Sequence, residues 1–154
     1  MSERRNFNIR REIRKYGSDI LKSENFRSSA GNIQHSNVSV MKHSMKVAYT
    51  SMWICDKFKI KCNRQDLVRG ALLHDYFLYD WHLPHGKLHG FFHPKIALLN
   101  AKKDFLLSKR EENTILRHMF PLTPIPPKFL EGWIVCICDK ICAIREVFKR
   151  KAHN

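Results

Sequence analysis

Leu67-Val68-Arg69-Gly70-Ala71-Leu72-Leu73-His74-Asp75 is the stretch on which the reading of this chain turns. Leu67, Val68, Ala71 and Leu72 recur at helical spacing. Asn63-Arg64-Gln65-Asp66, just before them, has the form of a helix cap followed by an acidic first turn. The helix runs into His74-Asp75, an imidazole beside a carboxylate at the end of an apolar segment. Such a pair puts two good metal ligands where water is scarce, and transition metals and magnesium-like ions accept mixed nitrogen and oxygen donors. Further ligands must come from elsewhere in the fold. His43 and Asp139 both lie on apolar helical patterns and are the first candidates.

The same periodicity recurs on either side. Val40, Met41, Val47, Ala48, Met52 and Cys55 mark the clearest amphipathic helix, about 37–58, with Asn37 or Ser39 as its cap and His43 near the edge of its apolar stripe. Pro94 suits the first turn of a helix reaching about Leu107, and another spans about Glu111 to Met119. Pro121, Pro124, Pro126 and Pro127 stop it, because proline cannot continue a helix. The last helix covers about 128–151. Ile9, Ile13, Tyr16 and Ile20 give the first 22 residues one apolar side, whereas 23–37 reads as a polar loop. The stretch 76–92, aromatic and histidine-rich, reads as an irregular lid or wall. Strand-like alternation is almost absent, so the expected class is all-α, a bundle of about five to seven helices.

The chain has 154 residues, enough for one domain with a real core. Lys and Arg outnumber Asp and Glu by 28 to 14, a formal charge of +14 that favours anionic partners: nucleotides, nucleic acid or phosphorylated metabolites. Five cysteines, an odd number, argue against a disulfide framework and fit a reducing cytoplasm. Cys138 and Cys142 share a helix face, where they serve as thiolate ligands or as small buried hydrophobes, the commoner use of free cysteine. Met1-Ser2-Glu3-Arg4-Arg5-Asn6 lacks the apolar stretch of a signal peptide. No run approaches the roughly 18 apolar residues of a membrane span, so the expectation is a cytoplasmic protein with no membrane partner.

The order His43, His74-Asp75, Asp139 on successive helices resembles the HD-domain phosphohydrolase superfamily. Val40-Met41-Lys42-His43-Ser44-Met45-Lys46-Val47-Ala48 is similar to that family's first-histidine helix, Gly70-Ala71-Leu72-Leu73-His74-Asp75 to its HD motif, and Cys138-Asp139-Lys140 to its closing aspartate. The resemblance covers about residues 35–150, which divides the chain into a basic amino-terminal arm, 1–34, and an HD domain, 35–154. His93-Pro94-Lys95-Ile96-Ala97-Leu98-Leu99 resembles the helix of members that bind a second metal, with Ile96 in the usual glycine position. His118 falls where such members place another histidine. The resemblance implies that His43, His74 and Asp139 hold one ion, that His93 and His118 hold the other, and that Asp75 bridges them. The cofactor expected is one or two divalent ions drawn from Fe, Mn, Co, Zn and Mg.

Departures narrow the resemblance. Leu78 stands where two-metal members often carry a catalytic lysine. A Gly-Tyr-Pro signature is absent and its double histidine is reduced to His118-Met119, which argues against cyclic dinucleotide cleavage. Small diadenosine-polyphosphate hydrolases share the six-ligand order and are the closer analogy.

The chemistry implied is hydrolysis of a phosphoester or phosphoanhydride in a small phosphorylated compound, with a nucleotide as the leading substrate class. A bound ion lowers the pKa of water from about 15.7 toward roughly 7, supplying hydroxide for in-line attack. Asp75 and His74 are the catalytic candidates, and no serine or cysteine nucleophile is needed. Lys46, Arg69, Lys87 and Lys140 are candidates for contact with phosphate, each with the alternative of a solvated surface charge. His85, His89 and His93 would form a zinc face if helical, against which Pro84, Gly86 and Gly90 argue. Tyr76, Phe77, Tyr79, Trp81, Phe91 and Phe92 offer base-stacking surface or core packing. The rival reading is an HD-fold module that binds RNA or a nucleotide signal without turnover, using the basic surface that includes Arg4, Arg5, Arg10, Arg11, Arg14 and Lys15.

Overall fold

Three helices account for most of the core, and helices and helix ends carry the site. The computed structural model describes residues 2–35, 38–79 and 88–152. Among these residues the elements run α1 (Ser2–Tyr16), α2 (Ser18–Lys22), α3 (Glu24–Ser28), a 3-10 turn (Ser29–Gly31), β1 (Ile33–His35), β2 (Val38–Ser39), α4 (Val40–Phe58), α5 (Arg64–Leu73), α6 (His89–Asp104), α7 (Lys109–Arg117) and α8 (Leu130–Lys151). The class is all-α. The two strands form one short antiparallel ladder, Ile33 opposite Ser39 and His35 opposite Val38.

Helix α4 packs against α5 and α8, and α5 and α8 both pack against α7. Val47, Ala48 and Met52 of α4 meet Leu67, Val68, Ala71 and Leu72 of α5 and Val135, Cys138 and Cys142 of α8 in one continuous core. Burying each of the valine, leucine and methionine side chains is worth about 1.5–3 kcal/mol, so this trio of helices fixes the relative positions of the site's ligands. Gly70 lets α5 approach α7 closely: a Cβ there would lie 2.8 Å from Cγ2 of Thr114, a β-branched side chain with little freedom to move aside.

Side-chain caps set several helix starts. Ser39 caps α4, its Oγ accepting from the Lys42 amide at 3.2 Å, and Asn37 lies outside the described residues. Asn63 caps α5 as expected, accepting from the Asp66 amide at 3.0 Å. Ser108 and Glu111 form a reciprocal capping box that begins α7 at Lys109, two residues before the expected start.

The bundle departs from the expected five to seven helices, having eight among the described residues. The additional ones lie in the first 35 residues. The chain turns at Gly17 between α1 and α2, and the expected loop over 23–37 contains α3, the 3-10 turn and part of the ladder. Ser23 caps α3 through the Phe26 amide, and Phe26 drops into the core, so one apolar residue anchors a segment whose polar composition reads as loop. Ile9, Ile13 and Ile20 join the same core, while Arg4, Arg10, Arg11, Arg14 and Lys15 face solvent. Helix α6 begins at His89, five residues before Pro94, which therefore sits inside it. No helix among the described residues is long and apolar enough to cross a membrane.

Candidate metal centre

Five helices deliver six buried ligand-type side chains to one place. His43 lies one turn into α4, His74 and Asp75 follow the end of α5, His93 lies on α6, His118 caps the end of α7, and Asp139 is midway along α8. Each is no more than 8% exposed. They form two groups able to hold a metal ion: His43, His74, Asp75 and Asp139, and Asp75, His93 and His118. Within each group the ligand atoms lie within 4.8 Å of one another, and Asp75 belongs to both.

The two oxygens of Asp75 face opposite ways. Oδ2 lies 3.2 Å from His74 Nε2 and 3.9 Å from His43 Nε2. Oδ1 lies 3.1 Å from His93 Nε2 and 3.3 Å from His118 Nε2. Asp139 Oδ1 completes the first group, 2.8 Å from His43 Nε2 and 3.4 Å from His74 Nε2.

All four imidazoles are oriented from behind. Nδ1 of His74 donates to the Ala71 carbonyl at 2.6 Å, Nδ1 of His93 to the His89 carbonyl at 3.0 Å, and Nδ1 of His118 to the Ile115 carbonyl at 2.8 Å. Three of the four thus use a carbonyl three or four residues upstream, a bond that a helix or its final turn supplies. His43 instead donates Nδ1 to the buried carboxylate of Glu146 at 3.0 Å. These bonds place the neutral-ring proton on Nδ1 and turn the Nε2 lone pair toward the centre, the arrangement that ligating histidines use.

The donor set fits a divalent cation. His93 and His118 bring their Nε2 atoms within 2.9 Å of each other and to 3.1 and 3.3 Å from Asp75 Oδ1, so that two imidazole nitrogens and a carboxylate oxygen converge on one buried point. Nitrogen and oxygen donors converging in this way suit a divalent cation. The carboxylates respond to the same surroundings. Burial alone would raise Asp75, but the His74 charge and hydrogen bonds from His118, His74 and His93 hold it well below the usual carboxylate range. Asp139 is lowered against its burial by bonds to His43 and His74. His43 is raised to about 9: burial opposes its charge, and Asp139 and Glu146 outweigh it. His74 is raised well above its usual value, Asp75 and Asp139 overcoming full burial, whereas burial pushes His118 down. The centre thus carries carboxylate charge at neutral pH, as a metal site must.

The lysine and arginine candidates divide. Lys46 is half exposed beside the first group, with Nζ 3.3 Å from Glu146 Oε1. Lys140 donates to the His118 carbonyl at 3.0 Å and lies 3.3 Å from Cys136 Sγ, which ties the end of α7 to α8. Arg69 is placed away from the centre. Its guanidinium binds Glu111 at 2.9 Å, Asp19 at 2.6 Å and the Leu106 carbonyl at 3.1 Å. Lys87, with Trp81, Pro84, His85 and Gly86, lies outside the described residues. Cys138 and Cys142 are buried in the core and belong to neither ligand group.

Two supporting features escape the motif reading. Glu146 lies two turns after Asp139 on the buried face of α8, and that seven-residue spacing was the available signal. Asn100 of α6 donates its amide to the carbonyls of Tyr76 and Phe77 at 3.2 and 3.0 Å, pinning the backbone just after Asp75 where Leu78 adopts φ 61°. His89 stacks on His93, ring centres 4.6 Å apart, and shares a hydrogen bond with the Tyr79 hydroxyl. Tyr76 and Phe77 are buried, while Phe91 and Phe92 remain half exposed.

A family model described as HD domain matches residues 40–144. No curated protein and no solved structure matches the chain.

Proposed function

The chain belongs to the HD-domain family, and from that premise we propose that it is a metal-dependent phosphohydrolase acting on a small phosphorylated compound, with a nucleotide as the leading substrate class. The observation that carries this reading is the pair of buried ligand groups sharing Asp75. His43, His74, Asp75 and Asp139 would hold one divalent ion, and Asp75, His93 and His118 a second. Bound there, divalent ions supply Lewis acidity toward water and toward phosphoryl oxygen.

The protein's own groups do the rest. Asp75 sets the spacing of the centre, its two oxygens committed to opposite sides, and offers a carboxylate to orient an attacking water. His74 is locked by the Ala71 carbonyl, so its ring presents Nε2 without reorganisation. Lys46 is the basic side chain best placed to meet a phosphate arriving from solvent, since it is half exposed beside the first ligand group while its carboxylate partner, Glu146, is buried. Lys140 positions the His118 turn. Arg69, buried and bonded to Glu111, Asp19 and the Leu106 carbonyl, holds α5 to its neighbours and is not a phosphate contact in this reading.

The exposed arginines of α1 and the +14 charge favour a second reading, a module that binds RNA or a nucleotide signal without turnover. The two readings separate on one experiment. Purified protein is assayed for bound metal, then offered a panel of phosphorylated compounds with Mn, Co, Mg, Zn or Fe while phosphate release is followed. Turnover lost in His74→Ala and Asp75→Asn supports the hydrolase. Salt-dependent RNA binding with no turnover on any compound supports the module.

A further inference from the structure

Helix α4 ends on a left-handed residue: Lys59, at φ 54°, reverses the chain, and the Ile60 amide bonds back to the Cys55 carbonyl at 2.9 Å. The reversal carries residues 60–62 back across the last turn of α4 before Asn63 starts α5. It brings the thiol of Cys62 over that of Cys55, with the two sulfurs 3.6 Å apart. Cys55 is buried in the core and Cys62 is partly open to solvent. The pair lies apart from both ligand groups of the metal centre, and among the described residues no third ligand-type side chain joins it to make a metal site.

Sulfurs in contact, one accessible and one shielded, form an arrangement suited to a two-thiol oxidation. We propose that Cys55 and Cys62 are a modification site, closing to an intramolecular disulfide when the protein meets a peroxide. The Cys62 thiolate attacks one peroxide oxygen, the O–O bond breaks, and the departing oxygen leaves as hydroxide, giving a sulfenic acid on Cys62. The Cys55 sulfur, deprotonating as it attacks, then displaces that hydroxyl as water and forms the S–S bond. Overall, two thiols and one peroxide give one disulfide and two waters when the oxidant is hydrogen peroxide. Cys62 is the natural first partner on access, and its hydrogen bond with Cys55 also lowers its pKa. The bond would close the corner at which α4 passes to α5. That corner is already tied to α8, because Glu131 accepts from the Asn63 amide at 2.7 Å.

The test treats the full chain with hydrogen peroxide at neutral pH, alkylates all free thiols under denaturing conditions, and counts labels by mass. The expected result is two labels fewer than the five of untreated protein, restored by dithiothreitol. Tryptic digestion without reduction should yield one linked product joining residues 47–57 to residues 62–64. Cys62→Ser, at a partly exposed position that leaves the core intact, should abolish the linked product and keep all four remaining thiols reactive to label. Oxidation of Cys62 to sulfinic acid without a link overturns the proposal, as does a link from Cys62 to any other cysteine or no loss of label at all.

Discussion

The carboxylate of Glu146 accepts a hydrogen bond from Nδ1 of His43 at 3.0 Å while its other oxygen meets Nζ of Lys46 at 3.3 Å. His43 is thereby the one imidazole of the centre held by a side chain and not by a backbone carbonyl. Side chains can be changed, so the orienting partner of His43 is open to test. Glu146→Ala should weaken metal affinity by about 10–100-fold, the usual cost of losing such a partner. Glu146→Gln, which keeps an accepting oxygen, should cost less. Competition with a chromophoric chelator measures both, and equal affinity in wild type and Glu146→Ala would remove Glu146 from the site.

The shared position of Asp75 makes stoichiometry diagnostic. His93→Ala and His118→Ala should each lower bound metal by one equivalent while leaving the first group filled. His43→Ala should deplete the first group, and Asp75→Asn should deplete both. Metal analysis after exhaustive dialysis reads this directly. Unchanged metal content in His93→Ala would confine binding to the first group.

Metal binding should release protons at neutral pH. In the metal-free protein His43 is held to about 9, so below that pH it is an imidazolium that must lose a proton before Nε2 can coordinate. The sign is definite: a raised histidine pKa means proton release on metal binding across roughly pH 7–9, diminishing as pH climbs through the folded value. Metal-free stability follows the same group, its His43 contribution fully present below the ordinary 6.5 and lost as pH rises through about 9. A weakly buffered titration with an indicator dye records the released protons.

Arg69 should prove structural. Its guanidinium is nearly buried between Glu111 and Asp19, and truncation would strand the Glu111 carboxylate, whose pKa burial already raises. Arg69→Ala should lose about 3–5 kcal/mol of stability, the typical cost of breaking a buried pair. Urea unfolding measures that loss. Metal affinity per folded molecule should stay unchanged, and a specific fall in affinity with intact stability would reverse the assignment.

Much of the centre was legible because its residues sit in stretches with strong local signals. His43, His74 and Asp75 lie in or at the end of clean apolar helical patterns, and those patterns also announce the all-α class. Asn63 and Ser39 mark helix starts by the chemistry of a side-chain cap. Other features depended on contacts between distant segments. Phe26 turns a polar stretch into folded structure because the core has room for its ring, which composition cannot reveal. Arg69 has the appearance of a phosphate contact, and only the approach of Asp19 and Glu111 shows its charge to be paired within the fold. Helix α6 runs through Pro94 to begin at His89, although proline favours a first turn. Glu146 could have been found from its distance to Asp139 along α8, but its partner is 103 residues away.

The six clustered side chains run from His43 to Asp139, with Glu146 behind them, and they come from both ends of the matched region. A chain emerging amino terminus first therefore has no complete first ligand group until Asp139 has been synthesised. A metal ion that binds only the finished arrangement would add its binding free energy to the whole bundle. Ion supply would then govern how long the newly made protein persists.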